Sequence, residues 1–273
     1  GSEFQVNKND FTLDTGDRKL HFDAVFNAIH GTPGEDGKLQ GYLEMLCIPV
    51  TSCDSGTSAL TFNKFFCNRF VASLGVKVAR SFLAGPDEDA ATIDAERQVR
   101  YPVFVKPNRG GSSVGTSKVN DAGGLPKALA EALREDSLAL VEEFIPGREI
   151  TCGVIPWKGK ITALPLTEIV SRKEFFDYEA KYLGMSEEIT PAQIPENIAR
   201  ECTNSSVMIY KEMNCRGIVR CDYIFNDSGL YFLEINTVPG LSEASIVPQQ
   251  ARETGISLKE LFTEVLLDAL ARR

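Results

Sequence analysis

Apolar and polar positions alternate most sharply near the end of the chain, over Ile218–Phe225 and Leu230–Asn236. Two runs of β-branched and aromatic residues there flank the polar turn Asn226-Asp227-Ser228-Gly229, the pattern of a β-hairpin. A three-residue loop, Asp227 to Gly229 with the glycine left-handed, predicts that Asp222 faces Glu234 and Arg220 faces Asn236. Side chains alternate along a strand, so Val219, Cys221, Tyr223 and Phe225 are expected to share one face with Tyr231, Leu233 and Ile235. The other face collects Arg220, Asp222, Glu234 and Asn236. Two carboxylates and a carboxamide are the oxygen donors that a hard cation takes, and magnesium leaves phosphate oxygens to complete its shell. The alternative is a solvated strand face holding an Arg–Asp pair.

The rest of the pattern alternates strands with helices, which predicts an α/β protein. His21 to Ile29 reads as a strand, His30 to Gly37 as a Gly/Pro-rich loop, Lys38 to Leu46 as a helix and Ile48 to Val50 as a second strand. That β-loop-α-β order sets the loop at a strand's carboxyl end, where open sheets bind ligands. Thr61 to Leu74 predicts one amphipathic helix with Lys64 near its start, where a cation opposes the helix dipole unless an anion is near. Val78 to Ala84 predicts one strand. Tyr101 to Val105 predicts a strand that delivers Lys106 to a loop rich in glycine and serine, Asn108 to Gly115. Glycines there let backbone amides approach an anion, and the lysine supplies a point charge; a plain Gly-rich hairpin fits the spacing as well. The Walker arrangement does not apply, because the lysine precedes the loop. A helix over Asp121 to Glu135, a strand over Leu138 to Ile145 ending in Glu142-Glu143, and a hairpin of Ile150–Ile155 with Ile161–Leu166 follow. Residues 175 to 195 have no clear period and are expected to form a lid or binding loop. Pro195 to Asn214 predicts a helix, and Ser257 with Glu260 a capping box for the last one.

Composition narrows the picture. The 273 residues are 43% hydrophobic, ample for more than one small domain. A net charge of −9 with no dense basic run argues against a nucleic-acid partner. No apolar run approaches membrane-spanning length, and no signal-peptide pattern opens the chain. The seven cysteines are odd in number and lack a C-x-x-C pair, which fits free thiols in a reducing cytoplasm better than disulfides.

In combination these motifs resemble the ATP-grasp superfamily. They are the Lys106–Gly115 loop, the Glu142-Glu143-Phe144-Ile145 strand end and the Arg220, Asp222, Glu234-Ile235-Asn236, Pro239-Gly240 hairpin. His30-Gly31 with Gly34-Glu35-Asp36-Gly37, Gly111-Ser112-Ser113-Val114-Gly115, Tyr178-Glu179-Ala180-Lys181-Tyr182 and Asn236-Thr237-Val238-Pro239-Gly240 narrow it to the D-alanine–D-alanine ligase family. The resemblance spans about residues 20 to 270 and implies an ATP-grasp fold in three parts. These are an open-sheet N-terminal unit over 1–61, a central unit over 62–150 and a C-terminal unit over 151–273.

It also implies roles. Lys64 and Lys106 would hold ATP phosphates, Glu142 would lie at the adenine end and Glu149 at the ribose, and Glu143, Ile145 and Lys181 would also bind ATP. Asp222, Glu234 and Asn236 would bind two magnesium ions, with manganese as a substitute. Arg220 and the Gly240 backbone would form an oxyanion hole. Ser112, Lys181 and Tyr182 would belong to a lid network, His30 would face the reacting centre, and Ser245 would hold a substrate carboxylate. The implied reaction joins two D-alanines through an acyl phosphate for peptidoglycan precursor synthesis, in a cytoplasmic homodimer. A D-alanine–D-lactate or D-alanine–D-serine ligase would share the ATP site, and a nucleotide-binding protein without turnover is the reading from another class. Such ligases usually open with a strand, a Gly-rich turn and a Ser-x-Glu segment; here the chain opens Gly1-Ser2-Glu3-Phe4, so the N-terminal unit is expected to be incomplete.

Overall fold

A computed structural model describes residues 3–111, 113–171 and 186–272. Residues 3–53 hold a small antiparallel sheet of β1 (Val6–Asn7), β2 (Thr12–Asp14) and β3 (Lys19–Leu20), then helix α1 (Lys38–Met45). The strands expected over His21–Ile29 and Ile48–Val50 reduce to a single parallel bridge, Val25 to Val50. Asn27 and Gln40 instead tie the loop between them: both carboxamides donate to the Gly34 carbonyl, at 2.8 and 2.6 Å.

The single helix expected over Thr61–Leu74 is two, α2 (Ser55–Phe62) and α3 (Lys64–Ser73). Asn63 breaks them: its backbone is extended and its side chain accepts from the Phe66 N–H, so it ends one helix and caps the next. The strand expected over Val78–Ala84 is also two, β4 (Lys77–Val78) and β5 (Ser81–Ala84), which join different sheets.

β5 enters a four-stranded antiparallel sheet ordered β5-β8-β6-β7, with β6 (Val103–Pro107), β7 (Ser117–Val119) and β8 (Ala139–Glu143). Helix α4 (Ala90–Arg97) comes between β5 and β6 in the chain. Helix α5 (Leu125–Glu135) lays Leu125, Ala128, Leu129 and Ala132 on this sheet, an apolar stripe at helical spacing.

The larger sheet contains β9 (Arg148–Trp157), β10 (Lys160–Ala163), β11 (Thr167–Ser171), β12 (Ser186–Ile189), β13 (Val219–Asn226) and β14 (Gly229–Asn236), with β4 parallel at its edge. Helix α6 (Glu196–Glu212) and α3 cover one face through Cys202, Ile209, Cys67 and Val71. Helices α7 (Ile246–Glu253) and α8 (Leu258–Ala271) cover Ile155 and Leu164 through Val247, Ala251, Leu261 and Val265. The capping box of Ser257 and Glu260 opens α8 as expected.

The hairpin of β13 and β14 pairs Arg220 with Asn236 and Asp222 with Glu234, as the sequence predicts, by a different route. Asn226 pairs with Gly229, so the turn holds two residues rather than three, and the register shifts between Asp222 and Tyr223. Leu233 is the extra residue of that bulge. It reverses the expected alternation: Leu230, Phe232 and Ile235 are in the core, while Tyr231 and Leu233 are not.

Candidate functional site

A cleft of about 650 Å³ lies where the hairpin's open end meets α3 and the loop after β6. The hairpin contributes Arg220, Asp222, Leu233, Glu234 and Asn236 to its wall. The Arg220 guanidinium donates from Nε to Asp222 Oδ1 at 2.8 Å and from Nη2 to Oδ2 at 2.7 Å, a fork-to-fork pair. Two residues apart on one strand, the pair shares a face. Thr151, opposite Asp222 on β9, donates to Oδ1 at 2.5 Å. Burial opposes the Arg220 charge, but Asp222 outweighs it, helped by Glu234 and Glu149, and the guanidinium is held above its usual range.

The opposite wall is cationic. Asn108 brings α3 to the loop: its carbonyl accepts from the Lys64 N–H at 3.0 Å and its Oδ1 from the Phe65 N–H at 3.0 Å. Lys64 Nζ donates to the carbonyls of Pro107 at 3.1 Å and Gly110 at 2.8 Å. Burial pushes the Lys64 ammonium down to about 8; Lys106 adds to this, and Glu234 and Glu142 oppose it. Lys106 is 2.7 Å from Glu142 Oε2, across the pairing of β6 with β8. Burial lowers its pKa, but the Glu142 carboxylate more than offsets this and keeps it charged.

Of the residues expected at a site, nine line this cleft: His30, Lys64, Glu149, Arg220, Asp222, Glu234, Asn236, Gly240 and Ser245. Lys106, Glu142, Glu143 and Ile145 do not. Lys106 and Glu142 are buried against each other behind Asn68, Glu143 ends β8 with its N–H on the Arg80 carbonyl at 2.8 Å, and Ile145 is buried. Ser112, Lys181 and Tyr182 fall outside the described residues. A Cβ on Gly240 would lie 2.7 Å from Ser245 Oγ, so a side chain there would turn that hydroxyl away from its present place.

Four further residues belong to the site. Glu35 lines it beside His30, whose Nδ1 is 3.8 Å from its Oε1. Burial raises the Glu35 carboxyl despite the Gly31 N–H donating to it at 2.8 Å. Asn68 follows Lys64 by one helical turn on α3, a spacing that could have pointed to it. Leu233 carried no such signal, since strict alternation turns it inward. Thr151 holds Asp222 from a neighbouring strand, which no local pattern reveals.

The donor set suits magnesium. Among the described residues no three His, Cys, Asp or Glu side chains gather to hold a metal alone. Asp222 and Glu234 provide two carboxylates on paired positions, the number this cation commonly takes when phosphates supply the rest.

The family model described as D-ala D-ala ligase C-terminus matches residues 76–267, and that described as D-ala D-ala ligase N-terminus matches residues 2–53. The chain is 46% identical over 270 residues to a D-alanine–D-alanine ligase of Christiangramia forsetii, covering 99% of this chain and 83% of that protein. It is 44% identical over 270 residues to one of Flavobacterium johnsoniae, covering 99% and 84%. Among solved structures, a D-Ala:D-Ser ligase from Enterococcus faecalis superposes with a TM-score of 0.86 at 33% identity, over 96% of this chain and 78% of that one. A D-alanine–D-alanine ligase from Bacillus anthracis complexed with ATP gives 0.79 at 29%, over 91% and 79%.

Proposed function

The chain belongs to the D-alanine–D-alanine ligase family, ATP-dependent enzymes of the ATP-grasp fold, and from that premise we propose how its cleft joins two D-alanines to D-alanyl-D-alanine. The product is a peptidoglycan precursor. The observation that carries the site assignment is the hairpin register: it gathers Arg220, Asp222, Glu234 and Asn236 at one end, across the cleft from Lys64.

ATP lies between the central unit, 62–150, and the C-terminal unit, 151–273. Its adenine is at the Glu142, Glu143 and Ile145 end, its ribose at Glu149, and its phosphates at Lys64 and Lys106. Asp222, Glu234 and Asn236 would hold magnesium, which would neutralise charge as it spreads over the transferring group. The carboxylate of the first D-alanine attacks the γ-phosphorus, and ADP departs. The amine of the second attacks the resulting acyl phosphate, and phosphate leaves from a tetrahedral intermediate. Arg220 and the Gly240 N–H stabilise the oxyanion of that intermediate. Ser245 takes the second substrate's carboxylate, and His30 faces the reacting centre. Water exclusion, which protects the acyl phosphate from hydrolysis, falls to Ser112, Lys181 and Tyr182. The protein works in the cytoplasm as a homodimer.

ADP release from Mg-ATP with D-alanine, against L-alanine and no amino acid, tests this directly, with chromatography for the dipeptide. D-Alanine-dependent ADP with equimolar dipeptide is expected. ATP bound without any turnover would leave a nucleotide-binding scaffold, and no ATP binding would sink the reading. The likeness to a D-Ala:D-Ser ligase favours one second reading, so D-serine and D-lactate belong in the same assay as acceptors.

A further inference from the structure

Asn68 projects from the same helix face as Lys64, and both line the cleft. Its side chain is 2% exposed, yet its Oδ1 has no hydrogen-bond partner. Its Nδ2 donates to Glu142 Oε1 at 3.1 Å, and Glu142 Oε2 accepts from Lys106 Nζ at 2.7 Å. That neighbour fixes the amide's orientation, because the flipped form would set an oxygen against a carboxylate. The network therefore ends in one acceptor without a donor. Buried acceptors are almost always satisfied, so one left over in a cleft wall calls for a donor on the ligand.

We propose that Asn68 is a specificity-determining residue of the nucleotide site, whose Oδ1 accepts a hydrogen bond from the 6-amino group of the bound purine. The inference rests on the adenine end lying at Glu142. A 6-aminopurine offers an N–H donor there, matched by the Asn68 oxygen, while Glu142 behind it fixes which way the amide points. A 6-oxopurine sets its own oxygen against the Asn68 oxygen and is rejected.

The test is equilibrium binding of three triphosphates to the full chain with magnesium: ATP, GTP, and purine riboside 5′-triphosphate, which has hydrogen in place of the amino group. Wild type and Asn68→Leu are compared, leucine being of similar volume without polar atoms. Wild type is expected to prefer ATP over the deaminated analogue. Asn68→Leu should weaken ATP about tenfold, the scale of one hydrogen bond, and change the analogue by no more than about twofold. Its rejection of GTP should relax as well. If the leucine variant fails to fold, as judged by its melting curve, Asn68→Ala is read on the same ratio. An equal loss for ATP and analogue, or an unchanged ratio, overturns the assignment. So does a wild type that binds the two equally, a result that leaves the ligase reading standing. A wild type that binds no triphosphate strikes the ligase reading itself.

Discussion

Arg220 and Asp222 are neighbours on one face of a single strand, whereas Lys106 and Glu142 meet diagonally across β6 and β8. In both pairs the carboxylate is buried and the cation half-buried, with side chains between 4% and 17% exposed. The arginine fork fills both Asp222 oxygens, and Thr151 adds a third donor, so the carboxylate has one orientation. The lysine touches a single Glu142 oxygen and leaves the other to Asn68. A planar fork holds geometry; a point charge on a flexible stem can turn toward a phosphate and back. On the proposed reading, the hairpin pair does the transition-state work and the lysine pair holds the nucleotide.

The largest expected effect comes from breaking the lysine pair. Lys106→Met should cost about 3–5 kcal/mol of stability, because it strands a buried carboxylate. Lys106→Met/Glu142→Met should recover most of that in chemical denaturation, without recovering ATP affinity. Next comes Arg220→Lys, which keeps the charge and loses the fork. It should lower kcat by about 10²–10³-fold, the scale of one lost oxyanion donor, and leave ATP affinity nearly unchanged in calorimetry. An equal fall in affinity would erase the distinction between the pairs.

Acidity gives a third contrast. The Lys64 pKa lies near 8, below its ordinary 10.5, because of burial. Between those values the unfolded chain binds the extra proton, so stability attributable to Lys64 rises with pH across that window. ATP affinity should move the other way, falling up to about tenfold per pH unit above 8 as the free protein loses the ammonium. Lys64→Met should flatten both slopes. Thr151→Val is the mildest change: Asp222 keeps Arg220 and loses one donor, and kcat should drop by roughly threefold to tenfold.

The hairpin also marks how far the sequence could be read. The residues between Asp222 and Glu234 leave one to spare, and a three-residue turn or a bulge accommodates it equally well. Either one pairs Asp222 with Glu234, so the acidic end was legible. The location of the spare residue was not, and with it went the facing of Tyr231 and Leu233. Asn63 was legible in principle, as an N-cap residue standing before Lys64. Its effect was hidden by an apolar period that continues through it. Asn68 was legible only through its one-turn spacing from Lys64, and Glu35 only as part of the loop beside His30, since neither carries a motif of its own.

The central claim is that this cleft moves a phosphoryl group onto a carboxylate. Turnover on D-alanine labelled with ¹⁸O in its carboxylate, followed by phosphorus NMR of the released phosphate, tests it most directly. An acyl phosphate keeps one carboxylate oxygen as the bridge, and attack by the second amine expels it with the phosphate. One ¹⁸O in each phosphate released is the result the account predicts. Unlabelled phosphate would mean that water, not the substrate carboxylate, took the phosphoryl group, and would contradict it.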